Sequence, residues 1–213
     1  MARLVIGTSK AKTVPAVVKE PVEQYPLLGR VKDDSNNDIG CVVGYHIDSN
    51  NQKYAVVCLN AQYRLAEGNL FNAKTAPSGF TELTGNKMWD EAASATSNCN
   101  EILTYITGAG LSSTGLTHCR ALSFVIGGVT YYGQIPTMSE LTMAFMSRTH
   151  INTNDPTAGQ YSNLIFPSDL YVRSCSLSSA SGGYWWIMRP FGTGSEWAQV
   201  NYFIAPILEI PIQ

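Results

Sequence analysis

The sequence has few charged residues. Asp, Glu, Lys and Arg make up 14% of the 213 residues, against roughly 25% in an average soluble domain. Hydrophobic residues make up 45%, which predicts a folded chain and not a disordered one. The polar surface must therefore come mainly from uncharged side chains, which suits neutral partners or close assembly contacts, although drift in composition would give the same pattern. The net charge of −2 does not indicate a nucleic-acid-binding protein, which would carry an excess of basic residues.

The cysteines provide neither a disulfide framework nor a zinc module, because their number is odd and no two are separated by two residues. We predict that they are buried, reduced thiols of a protein made in a reducing compartment. They are Cys41, Cys58, Cys99, Cys119 and Cys175. No apolar run has the length of a signal peptide or a membrane span, so we expect neither secretion by the standard route nor membrane insertion.

Motifs for catalysis are also missing. The three histidines, His46, His118 and His150, lie far apart in the chain, without a His-x-x-x-His pair. There is no Gly-x-Ser-x-Gly nucleophile elbow, and the glycines at 108 and 110 lack the rest of a dinucleotide fingerprint. The sequence therefore predicts no catalytic residue, no metal site and no cofactor. A Ser-His-Asp site assembled from distant residues stays open.

The charge that is present is unevenly distributed. Residues 1–32 hold six basic and two acidic side chains, a net charge of +4, which leaves −6 for the rest of the chain. Prolines at 15, 21 and 26 favour extended backbone. We predict that residues 1–30 form an extended basic arm that docks on a partner. Its partner-binding residues would be Arg3, Lys10, Lys12 and Lys19. A solvated tail and an edge strand on the protein's own domain are the alternatives.

Two β-hairpins are predicted by alternating apolar runs on either side of turn residues. The first joins residues 41–47 to residues 54–59 through an Asp-Ser-Asn-Asn turn. The second joins residues 122–126 to residues 129–132, and Gly127-Gly128 supplies the positive φ angles of its turn.

A capped helix follows the second hairpin. Pro136 stops the extended segment, and Thr137 and Glu140 stand in the Ser/Thr-x-x-Glu relation of a capping box. One stripe at helical spacing then follows, consisting of Met138, Leu141, Thr142 and Phe145. Because the helix cap accounts for Glu140, we do not interpret this residue as a catalytic acid.

The remaining pattern predicts an α+β protein. A helical pattern covers residues 88–106, with an interruption at 98–100 that would give two short helices. Residues 60–86 and 149–168 look like loops, and residues 192–195 like a glycine-rich turn between strands at 184–189 and 197–204. We therefore expect one body over residues 31–213, made of antiparallel hairpins with one or two inserted helices. A β-sandwich with helical insertions is the alternative.

Four aromatic residues near the C-terminus are the candidates for recognition: Tyr184, Trp185, Trp186 and Trp197. Successive residues of a strand face opposite sides of the sheet, so one of the adjacent tryptophans is expected at a groove or an interface. The alternative is that both lie in a two-sided core.

The order of these motifs over residues 39–212 resembles the C-type-lectin-like domains of bacteria and phages, which are akin to the formylglycine-generating-enzyme fold. The most specific match is Gly-x-Ile-Pro-Thr-x-x-Glu-Leu at residues 133–141. Five further features fit the same order: the first hairpin, Trp89 with its following alanines, Asn98-Cys99, the cysteine at 119 and the Tyr-Trp-Trp strand. The closing segment departs from the family, because its Arg-Pro pair is replaced by Ala205-Pro206.

This resemblance, together with a weaker likeness of the N-terminal arm to attachment segments of phage head- or tail-fibre proteins, implies a virion protein that forms homotrimers. The arm would bind capsid or tail proteins, and the lectin-like body would bind a host-surface glycan or protein. Its ligand-binding residues would be Tyr184, Trp186, Trp197, Gln199 and Asn201. Neither nucleic acid nor a membrane is an expected partner, and a purely structural decoration protein is the alternative function.

Two activities known among such folds are not expected. Calcium-dependent lectins carry Glu-Pro-Asn or Gln-Pro-Asp loops and a Trp-Asn-Asp strand, which this sequence lacks. Asn154-Asp155-Pro156 looks superficially similar, but turn chemistry explains it better. Formylglycine-generating enzymes need a reactive cysteine pair near the C-terminus, and only Cys175 lies in the last third of this chain.

Overall fold

The computed structural model describes residues 24–74, 80, 82–83, 93–157, 171–179, 183–189 and 192–212. Within them the protein is α+β, with four α-helices and mostly antiparallel strands. The helices are α1 (Ala95–Gly108), α2 (Thr114–Ala121), α3 (Met138–Met146) and α4 (Arg148–Asn154). The strands are β1 (Arg30–Lys32), β2 (Asp38–Ile47), β3 (Lys53–Leu59), β4 (Leu65–Gly68), β5 (Ser123–Ile126), β6 (Val129–Tyr132), β7 (Val172–Ser179), β8 (Tyr184–Arg189), β9 (Gly192–Trp197), β10 (Tyr202–Ile204) and β11 (Ile207–Ile212).

The strands form three sheets. The first is antiparallel in the order β1-β2-β3-β11, so the last strand lies beside the first hairpin. The second has the order β4-β10-β7-β8-β9 and contains one parallel pair, β10 with β7. The third is the hairpin β5–β6.

The first sheet is covered on both faces, and strand alternation decides which residue meets which layer. On β3, Ala55, Val57 and Leu59 pack with Phe124 and Ile126 of the hairpin β5–β6. Val56 and Cys58 face the other way, into the core shared with the helices and the second sheet. On β11, Leu208 and Ile210 belong to the hairpin side and Ile207 to the helix side. Alternation therefore places Glu209 on the helix side.

The folded body begins before residue 31. Leu28 donates its backbone N–H to Val42, and the Tyr45 hydroxyl donates to the Tyr25 carbonyl. The predicted boundary between arm and body thus falls inside β1, and the segment from Tyr25 onward packs on β2. Arg3, Lys10, Lys12 and Lys19 lie outside the described residues.

The predictions that depend on local turn and cap chemistry are confirmed. Both hairpins form, and Gly127 and Gly128 adopt φ angles of 59° and 77° in the turn between β5 and β6. Helix α3 begins after Thr137 with both halves of the capping box present, because Thr137 accepts from the Glu140 N–H and Glu140 accepts from the Thr137 N–H.

The predicted number of inserted helices, one or two, is wrong. The interruption expected at residues 98–100 does not occur, because Asn98 and Cys99 face the core and Asn98 donates its side-chain amide to the Cys175 carbonyl. Helix α2 was not predicted. Helix α4 covers the first residues of the predicted polar loop at 149–168, of which residues 158–168 are outside the described residues.

The predicted strand boundaries near the C-terminus are also wrong. The glycine-rich segment expected to turn is the edge strand β9, which pairs with β8 from Gly192 to Trp197. The turn comes afterwards, between Trp197 and β10, where the sequence predicted a continuous strand. Small residues in β9 leave room for the Arg189 side chain, whose guanidinium carbon lies 2.4 Å from the point that a Cβ on Gly194 would occupy.

Glu140 does more than cap α3, because it lies beside a second buried carboxyl group. Glu209 accepts the first two backbone N–H groups of α1, from Ala95 at 3.1 Å and Thr96 at 2.8 Å. The Oε2 atom of Glu140 accepts from the N–H and hydroxyl groups of Thr137, whereas Oε1 has no donor among the described residues. Burial raises the pKa of Glu140 well above its usual range, and the charge and hydrogen bond of Glu209 raise it further. The raised pKa favours the uncharged form of Glu140 beside Glu209.

This pair gives the fold a pH dependence of defined sign. In the unfolded chain Glu140 ionises near its ordinary pKa of about 4.3, whereas in the folded chain its pKa is raised. Its stabilising contribution is therefore complete below that ordinary pKa and is lost as pH rises through the raised one. Glu140→Gln keeps the shape and cannot ionise. We expect its unfolding free energy, relative to wild type, to increase as pH rises from 4 to 8 in urea unfolding. Parallel pH profiles of the variant and the wild type would contradict the raised pKa of Glu140, and the exposed Glu101→Gln on α1 is the control.

Candidate ligand-binding surface

The structure brings four of the five predicted ligand-binding residues to one end of the second sheet. Tyr184 begins β8, Trp197 ends the edge strand β9, and the two are direct register partners. Gln199 and Asn201 are exposed in the turn that follows. Trp186 lies two residues beyond Tyr184 and therefore on the same face of β8. We call Tyr184, Trp186 and Trp197 the aromatic surface.

Part of this surface is already occupied by contacts within the protein. The rings of Tyr184 and Trp197 stack with their centroids 5.7 Å apart and their planes 19° apart. The ammonium group of Lys74 lies 3.9 Å from the Trp197 centroid, close enough for a cation–π interaction. The two rings therefore form one preorganised platform, which is exposed less than two separate rings would be.

The two adjacent tryptophans separate as strand alternation requires. Trp185 is 0% exposed and packs edge-on against Phe71 and Phe80. Trp186 is half-buried, and its indole N–H donates to the Leu83 carbonyl at 2.9 Å. The indole N–H of Trp186 is therefore used internally, which leaves only part of its ring for a ligand.

The turn that carries Gln199 and Asn201 is fixed by a buried arginine. Arg173 of β7 is wholly buried and donates to the backbone carbonyls of Trp197 and Val200, each at 3.0 Å, and of Glu196 at 3.4 Å. From another side, the N–H groups of Leu70 and Phe71 both reach the carbonyl of the buried Ala198. The turn is thus preorganised by five hydrogen bonds to its backbone.

The surroundings of Arg173 explain why this residue stabilises the turn and is not assigned to ligand binding. Burial lowers its pKa to about 10, which leaves the guanidinium charged at neutral pH. Its carbon lies 4.8 Å from the centroid of the Tyr202 ring, so aromatic and carbonyl groups compensate the charge. Arg173 positions the turn through a hydrogen bond to the carbonyl of Trp197, which lies 24 residues further along the chain.

The other residues considered for chemistry have structural partners. Asp155 accepts from the Ala61 N–H at 2.7 Å, pairs with Arg64 and closes its own turn through Thr157. All five cysteines are buried and form no disulfide, and burial raises the pKa of Cys58 to about 12. The ring of His118 contacts the Tyr63 carbonyl at 2.7 Å.

Within the described ranges, no three His, Cys, Asp or Glu side chains cluster as metal ligands would. None of the helices there is both long and apolar enough to cross a membrane. A cavity of about 840 Å³ lies away from the aromatic surface, between Leu27, Leu28 and one side of α3 and α4.

Comparisons with protein-family models, with curated proteins and with solved structures find no match to this chain. The lectin-like family resemblance therefore depends on the sequence motifs alone.

The buried arginine leads to a prediction about the turn. Arg173→Met removes hydrogen bonds from a charged donor to three carbonyls, each worth about 1.5–3 kcal/mol. We expect a loss of about 2–4 kcal/mol in unfolding free energy, since some carbonyls will find water. Hydrogen exchange should become faster at residues 197–201. Arg189→Met is the control, because that arginine is exposed on the neighbouring strand. Equal stability of the two variants would contradict the positioning role.

Proposed function

We propose that this protein is a non-enzymatic accessory protein of a phage particle, a head or tail fibre, whose body binds a host-surface glycan or protein. The N-terminal arm would attach it to capsid or tail proteins, and three copies would assemble. The body would be a C-type-lectin-like domain. The motif order of residues 39–212 and the basic arm of residues 1–30 support this proposal.

The observation that carries the binding function is the stacked pair formed by Tyr184 of β8 and Trp197 of the edge strand β9. It lies next to an exposed turn that presents Gln199 and Asn201 and is fixed by Arg173. A rigid aromatic platform flanked by neutral amides suits sugar rings, because the ring stacks and the amides can donate to and accept from hydroxyls. The low overall charge is consistent with a neutral ligand.

One observation favours the structural alternative. The indole N–H of Trp186 is used by Leu83, and Lys74 covers part of Trp197. If the remaining aromatic area contacts another protein, the body would decorate the particle without binding a sugar. An enzyme of the formylglycine-generating kind has less support, because Cys175 is wholly buried.

Glycan binding can be tested with an array of bacterial surface glycans and the full chain. We expect binding that weakens at least about tenfold in Trp197→Ala, since aromatic hot spots cost about 2 kcal/mol or more when truncated. The double variant Gln199→Ala/Asn201→Ala should weaken binding without affecting folding, because both side chains are exposed. Met146→Ala, at a residue that is 75% exposed on α3, is the control for unspecific apolar contact. Absence of any bound glycan would favour the structural alternative.

The arm makes a separate prediction. The described hydrogen bonds and core contacts of the body join residues from 24 onward, and we expect the protein without residues 1–23 to keep a folded body. It should no longer sediment with phage particles. Replacement of Arg3, Lys10, Lys12 and Lys19 by Gln should weaken the association, and more so at low salt, where charge contacts are strongest. Full particle binding by the shortened protein would show that the arm is not the anchor.

A further inference from the structure

A second cavity, of about 530 Å³, lies apart from the aromatic surface. It is formed where the turn after β2, the N-terminus of α1, the end of α2, and strands β6 and β11 meet. Its volume is within the range of about 300–1,000 Å³ that is typical of small-molecule sites. We call it the Gln134 groove, after a side chain in its lining.

Gln134 keeps a hydrogen-bond acceptor unused. The residue is 3% exposed, and its backbone is fixed by two hydrogen bonds with Ile207. Its amide nitrogen donates to the Tyr132 carbonyl at 3.2 Å, which identifies the other atom as oxygen. That Oε1 atom has no donor among the described residues. A buried acceptor without a partner is destabilising, so a ligand hydroxyl that donates to it would recover stability.

Arg120 adds an unused donor to the same groove. One of its terminal nitrogens donates to Asn100, whereas its buried Nε has no acceptor within the described part of the chain. A hydroxyl group is both a donor and an acceptor. Neighbouring hydroxyls of one molecule could therefore satisfy Gln134 and Arg120 together, which a purely donating or purely accepting ligand could not do.

The rest of the lining matches a neutral, hydroxyl-rich ring. Tyr54, Tyr131 and Tyr132 line the groove, and Tyr132 is 48% exposed. Such rings can stack on the C–H faces of a sugar. The carboxyl groups of Asp48 and Glu209 disfavour an anionic ligand, and Glu209 already takes the N–H groups at the start of α1.

We propose that the Gln134 groove is a saccharide-binding site, separate from the aromatic surface. The Oε1 atom of Gln134 accepts from one sugar hydroxyl, the Nε of Arg120 donates to another, and Tyr132 stacks on the ring. This inference does not depend on the proposed function, which places the ligand on β8, β9 and the following turn.

The test uses the full chain and a panel of free sugars: glucose, galactose, mannose, rhamnose and N-acetylglucosamine. We expect at least one to bind with a dissociation constant in the millimolar range, about 4 kcal/mol, in saturation-transfer NMR. Amide shifts on the labelled protein should map to residues 94–97 and 131–134. Gln134→Met and Tyr132→Ala should each weaken binding at least fivefold. Trp197→Ala, and Val129→Ala on the same strand as Tyr132, should leave it unchanged.

Three outcomes would overturn the inference: no sugar of the panel binds, binding survives both groove variants, or binding is lost in Trp197→Ala alone. The last would assign the sugar to the aromatic surface and leave the proposed function standing. Conversely, a sugar that depends on Gln134 and not on Trp197 would support the groove even if the aromatic surface binds nothing. Arg120→Met replaces Gln134→Met should the latter fail to fold, as judged by circular dichroism.

Discussion

One buried pair of carboxyl groups joins the parts of this fold that are distant in sequence. Glu209 on the last strand takes the first N–H groups of α1, while Glu140 completes the cap of α3 and lies beside Glu209. Two charges in this position would repel each other at a high cost. Burial and the neighbouring Glu209 raise the pKa of Glu140, which favours its uncharged form, while Glu209 accepts from the N–H groups at the start of α1. The C-terminal strand, α1 and α3 are therefore placed by one interaction.

The same junction also attaches the second sheet. The carbonyl of Pro136 accepts from the Cys175 N–H, and the first N–H of α3, that of Met138, donates to the Ser176 hydroxyl. The short segment between β6 and α3 thus contacts β7 on one side, while Gln134 pairs with Ile207 of β11 on the other. Its residues are constrained from both sides, which explains why a glutamine amide can be kept buried with only one of its polar atoms satisfied. Folding energy elsewhere compensates for the unused atom.

Local chemistry made the hairpins and one helix of this architecture predictable. The hairpins and α3 follow from glycine φ angles, turn residues and a capping box, which act within a few residues. The remaining elements depend on distant partners. Asn98 looked like a helix breaker, but its amide is satisfied by Cys175 of β7, so α1 continues. The glycines of β9 looked like a turn, but β8 supplies their hydrogen bonds. Alternation places Trp185 and Trp186 on opposite faces of β8, but only the fold could show that Trp186 also packs against the core and donates its indole N–H to Leu83.

The two candidate sites differ in how many of their hydrogen-bonding and stacking groups are already occupied by contacts within the protein. The aromatic surface has the residue types of a sugar site, and its turn is rigid through Arg173, but stacking, Lys74 and Leu83 already use part of it. The Gln134 groove was invisible in the sequence, since its lining comes from five separate segments. It nevertheless keeps an acceptor and a donor for which the described part of the chain offers no partner. A ligand gains most binding free energy at a preorganised site whose polar groups have already lost their contacts with water in the unbound protein. On that argument a small sugar should prefer the groove, and the aromatic surface should prefer a longer chain or a protein.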